Sequence, residues 1–105
     1  MAITPTNLSR SILSTTSGTI LYTANTSGGA VLNSIVVNNN SLTNATFNLA
    51  VSGSTTYPIF NNTTVTGNAS IFVNTHQVLA SGQSIIGNSN VVSTITVHLN
   101  GVVIN

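Results

Sequence analysis

Apolar and polar side chains alternate along this chain in short runs, broken by turn residues roughly every 8–12 positions. The segment Ala45–Ser52 is the clearest case. Phe47, Leu49 and Val51 fall on one side of a pleat, and Thr46, Asn48 and Ala50 fall on the other. Val91–Leu99 repeats the pattern, with Ile95, Val97 and Leu99 inward and Thr94, Thr96 and His98 outward. These six inward residues are the expected core. Further strands are read at Thr19–Thr23, Ala30–Asn38, Tyr57–Phe60, Ala69–Asn74, Val78-Leu79 and Ser84–Ile86. Turns are read at Ser27-Gly28-Gly29, Asn39-Asn40-Ser41, Gly53-Ser54, the Asn61–Thr64 stretch with Gly67, and Ser81-Gly82. No window carries the i, i+3, i+4 apolar spacing of an amphipathic helix. The connections are too short for crossovers, so the strands pair antiparallel. The expected class is all-β, an antiparallel β-sandwich of jelly-roll or immunoglobulin-like type with about seven or eight short strands.

Two segments fit this scheme less simply. Residues 1–18 are polar, contain Pro5 and show no clean period. They read as an extended N-terminal arm, with room for a short helical turn around Leu8–Leu13, ahead of a sandwich domain at 19–105. Ile3, Pro5 and Leu8 are the arm's candidate interface residues. Near the other end, Asn100-Gly101 is a strong two-residue hairpin signal. Only Val102–Ile104 could form a return strand, so a bulge within one continuous edge strand is the preferred reading.

Charge changes the picture most. The chain of 105 residues, enough for one domain, has no Asp, Glu or Lys and a single arginine, Arg10. Charged residues make up 1% of it, against about 25% in an ordinary domain. Such a surface cannot steer nucleic acid, form a polybasic membrane patch or recognise a partner through paired charges. It also offers little colloidal repulsion, so association is expected. Asn, Ser and Thr supply nearly half of the residues and interleave with β-branched ones, which suits pleated strands. Low charge at this hydrophobicity is not the signature of disorder. Cysteine is absent, which excludes disulfides and thiolate metal sites. The start lacks the features of a signal peptide, and no apolar run approaches the ~18–20 residues of a membrane span.

Catalytic chemistry has little to stand on. The only side chains that could titrate near neutrality are His76 and His98, and no carboxylate is available to orient either. Two histidines, read as one in a turn and one on a strand face, fall short of the three or four ligands of a stable zinc site. No enzyme activity, cofactor or metal is therefore expected. The many Asn-x-Ser/Thr sequons, such as Asn25 and Asn44, follow from composition. Tyr22 and Tyr57 could stack on sugars, but read more simply as half-buried strand residues.

Three stretches carry a resemblance: TILYTANTSGGAVLNSIVVNNNSLTNATFNLAV, VLASGQSII and VSTITVHLNGVVI. The Leu-Tyr-Thr opening is followed by a turn and a strand ending in an Asn/Ser/Thr cluster before an alternating strand. A Leu-x-x-Gly turn and a Val-rich final strand with a late glycine then follow. From Thr19 to Ile104 this order resembles a small β-sandwich module of tailed-bacteriophage structural proteins. Gly28-Gly29-Ala30 departs from the usual Pro-x-Gly-Lys-like turn, and Gln83 replaces an acidic residue. The resemblance implies a virion protein, assembled in host cytoplasm and acting as a capsid decoration or cement subunit. Its implied partners are the major capsid protein, other virion proteins and further copies of itself. A tail or fibre accessory with an adsorption role, or a self-assembling filament subunit, are the alternatives.

The missing carboxylates also set a stability expectation. Acid unfolding ordinarily follows protonation of carboxylates that the native state stabilises. Thermal midpoints at pH ~4 and pH ~8, with and without ~0.5 M salt, should therefore nearly coincide, apart from a histidine step if either imidazole is buried neutral. A large loss of stability at the acid end would show that a titrating partner or ion belongs to the stable unit.

Overall fold

The structure, a computed structural model, describes residues 3–104, and of Ile3 the backbone only. Eight strands follow in order: β1 (Ile3–Ile12), β2 (Ile20–Thr23), β3 (Ala30–Asn39), β4 (Ala45–Ser52), β5 (Thr56–Val65), β6 (Ser70–Leu79), β7 (Ser84–Ser89) and β8 (Ile95–Ile104). They form two four-stranded antiparallel sheets, ordered β1-β8-β3-β6 and β2-β7-β4-β5. An immunoglobulin sandwich places its first two strands side by side in one sheet. Here β1 and β2 lie in different sheets, and the two interleaved orders are those of a jelly roll.

The core lies between the sheets, where the alternation placed it. Phe47, Leu49, Val51, Ile95, Val97 and Leu99 are all buried, joined by Leu32, Ile35, Val37, Leu79 and Ile85 from the neighbouring strands. Phe47 meets Phe60 with ring centroids 5.0 Å apart and planes tilted by 46°, within the range favoured by aromatic quadrupoles. One buried amide ties the sheets together. Asn39, at the end of β3, donates to the carbonyls of Thr43 (2.9 Å) and Val65 (3.0 Å). Its Oδ1 accepts from the Ser41 backbone N–H (3.0 Å) and hydroxyl (2.9 Å). All four hydrogen-bonding positions of the amide are used, which removes the desolvation penalty of burying it.

The arm expected over residues 1–18 is corrected by this geometry. Residues 3–12 form β1, which pairs with β8 from Ile3↔Ile104 to Ile12↔Thr96. Leu8 and Leu13 are 9% and 1% exposed and belong to the core. The missing period has a local cause. Leu8 is an extra residue between the pairs Asn7↔Asn100 and Ser9↔Leu99, and the bulge shifts the alternation by one position. No helical turn occurs between Leu8 and Leu13.

The Asn100-Gly101 signal marks such a level in the whole sheet. β8 passes through it as one strand, as expected, but it is an interior strand and not an edge, and the extra residues lie on its neighbours and not on β8. Asn33 is inserted in β3 between Leu32↔Gly101 and Ser34↔Asn100. On β6, Thr75 and His76 face that one residue, between Ser34↔Asn74 and Leu32↔Gln77. A side chain at Gly101 would overlap the Val31 carbonyl oxygen, so glycine is required by close backbone approach. Strand continuity also exceeds the sequence reading elsewhere. β5 runs through Asn61–Thr64, with Asn62 in the left-handed region at φ 48°, and β6 joins two runs that were read separately.

Two stability outcomes follow. Leu49→Ala or Leu13→Ala should each cost roughly 2–5 kcal/mol in urea denaturation, as expected for cavities in a closed core. Deleting residues 1–9 should unfold the domain, since it removes most of an edge strand and Leu8. A folded, cooperatively melting deletion variant would restore the arm reading.

Candidate functional site

The outer face of the β1-β8-β3-β6 sheet is built of cross-strand rows set by register. At one level stand Pro5, Val102, Val31 and Val78, an apolar row across four strands. The next level is polar. Asn7 donates to Asn100 Oδ1 (2.8 Å), and Asn100 Nδ2 lies 3.4 Å from Ser34 Oγ. The third level runs Arg10, His98, Val36, Phe72. Phe72 and Val78 are 75% and 63% exposed at its outer edge. The face thus carries large apolar groups, a single charge at one side and a ladder of amides.

The four edge strands differ in how they are guarded against pairing with another chain. β1 carries Pro5, Arg10 and the Leu8 bulge. β5 carries Pro58, two register shifts and the left-handed Asn62. β2 is only four residues long. Prolines, charges, bulges and shortness are the usual protections of a sheet edge. β6 has its bulge at Thr75-His76, but the run Ser70–Asn74 before it has none of these devices. It lies in unbroken register beside Asn38–Ser34 of β3.

A second feature occupies the outer face of the other sheet. A shallow concavity of about 290 Å³ lies over β7, β4 and β5 and is flanked by Ser17 and Gly18 of the β1–β2 connection. Its floor is apolar, because Ile86, Ala50 and Pro58 form one cross-strand row. Its polar side is an oriented amide relay. The backbone N–H of Asn62 donates to Asn48 Oδ1 (2.8 Å), and Asn48 Nδ2 lies 3.3 Å from Asn88 Oδ1.

The residues singled out from sequence fall as follows. Pro5 is exposed on β1 opposite Val102. Leu8 points into the core, so its side chain is not available as an interface residue, which corrects that expectation. Ile3 pairs with Ile104, and its side chain lies outside the described part. His76 is exposed on β6, not in a turn, with Nδ1 3.4 Å from Asn33 Oδ1. His98 is half-buried on β8, with β3 between the two histidine strands. Tyr22 is half-buried as expected, whereas Tyr57 is exposed. Sequence reasoning missed the β6 edge because it split that strand in two. It missed the concavity because its residues come from three strands whose pairing had to be known first. No protein-family model, curated protein or solved structure matches the chain.

Proposed function

We propose that this chain is a structural subunit of a virus particle, a capsid decoration or cement protein that acts through protein–protein contact. The observation that carries the reading is the unguarded β6 edge beside an almost uncharged, partly apolar sheet face. A free edge of this kind is a template for strand addition, with main-chain hydrogen bonds supplying affinity and alternate side chains supplying fit. The run is also self-complementary. About a two-fold axis at Phe72, antiparallel copies would place Phe72 on Phe72, Ile71 on Val73 and Ser70 on Asn74. Like meets like in size and polarity at each level, and no charge is desolvated.

The jelly-roll order is shared by viral capsid and lectin domains, and by itself assigns no work. The resemblance to tailed-phage modules points the same way as the edge. The expected N-terminal arm lends the proposal no support, since residues 3–12 of that segment are a strand of the sheet. Contact through β6 takes its place, and binding that exists only in the assembled shell stabilises that shell by mass action.

Two measurements test this reading. In sedimentation equilibrium the chain should self-associate, and Phe72→Lys should weaken association at least about tenfold while leaving the fold intact. An exclusively monomeric chain would remove the self-pairing. Quantitative mass spectrometry of gradient-purified particles from the producing culture should find the chain at a copy number comparable to the principal shell protein. Its absence from particles would overturn the virion role.

A further inference from the structure

We infer that the concavity on the β2-β7-β4-β5 face is a binding site for one uncharged sugar unit of a glycan. Its volume of about 290 Å³ sits at the small end of ligand pockets, commonly about 300–1,000 Å³. That is space for a single compact ring, not for an extended cofactor. The lining decides the chemistry. Asn48, Asn61, Asn88, Thr56 and Ser17 offer amide and hydroxyl groups, and the chain's one charged side chain, Arg10, stands on the other sheet. An ion entering here would lose hydration with no countercharge to replace it. A wholly apolar ligand would cover the amides without bonding them, which is also costly.

What remains is a neutral ligand that both donates and accepts hydrogen bonds and has an apolar side. A pyranose has that character: hydroxyls around its rim and C–H groups across a face. The row Ile86, Ala50, Pro58 supplies a matching apolar floor. The amides are held ready. Because Asn62 fixes Asn48 Oδ1 and Asn48 Nδ2 points to Asn88 Oδ1, the Asn88 amide presents its NH2 as the free end of the relay. Asn61, Thr56 and Ser17 make no side-chain hydrogen bonds within the described residues, so they add groups that serve as both donors and acceptors. Pre-set polar groups lower the ordering cost of binding.

This site is independent of the β6 edge and of the shell role. The test uses the isotope-labelled full chain, titrated with the methyl glycosides of glucose, galactose, mannose, fucose, N-acetylglucosamine and N-acetylgalactosamine. Methyl glucuronide serves as the charged control. At least one neutral glycoside should give saturable amide shifts confined to Gly87, Asn88 and the side-chain amides of Asn48, Asn61 and Asn88, and should bind more tightly than the glucuronide. Asn61→Ala, at an exposed edge position, should weaken that binding about three- to tenfold with the remaining spectrum unchanged. No saturable shift from any neutral glycoside overturns the site. So do shifts centred elsewhere, tighter binding of the glucuronide, or unchanged affinity in both Asn61→Ala and Asn88→Ala.

Discussion

Among the described residues every polar contact that holds this molecule together is made without a side-chain ion pair, because Arg10 is the only charged side chain and there is no Asp or Glu for it to meet. Hydrogen bonding by amides and hydroxyls has to do what charges often do at loop ends and strand breaks. Asn39 shows how completely this is achieved, with all four of its positions filled by β5 and the loop between β3 and β4. Asn44 and Asn90 accept from the backbone N–H groups of Gly67 and Thr46, where strand pairing leaves those donors free. Such bonds are individually modest but cost much if left unmade when buried. The fold therefore depends on matching amides such as Asn39, Asn44 and Asn90 to backbone breaks, and its stability should gain little from ionic strength or pH.

The same constraint shapes the surfaces. A protein rich in charges can guard its sheet edges with lysine. This one has a single arginine, on β1, and otherwise relies on proline, bulges and short strands, which are present on β1, β2 and β5. Leaving Ser70–Asn74 of β6 unguarded then stands out as a departure within one molecule, not against an average. The opposite sheet turns the shortage of charge to another use, presenting a small neutral hollow where amides and an apolar row converge. The two sheets thus offer different chemistry, one suited to strand addition and the other to a small polar ligand.

Much of the fold was legible because β4, and β8 up to Gly101, alternate buried with half-buried residues. Their six inward residues could be named from period alone. Legibility failed where bulges break the period. Leu8 in β1 shifts the alternation, and a real strand then looked like an aperiodic arm. Asn33 and the Thr75-His76 pair lie at the same level, and there β6 was read as two pieces. Asn100-Gly101 was the one local sign of that level, but a signal on β8 does not reveal that its neighbours carry the insertions. The candidate surfaces were less legible still, since cross-strand rows exist only once the order β1-β8-β3-β6 is known.

The central claim, that β6 is the edge through which this chain assembles, is tested most directly by amide hydrogen exchange on the dilute and the assembled protein. The account predicts slowed exchange on assembly at the amides of Ser70–Asn74 that point away from β3, with β1, β2 and β5 edge amides unchanged. Unchanged exchange along β6, or protection appearing instead at β1 or β5, would contradict it.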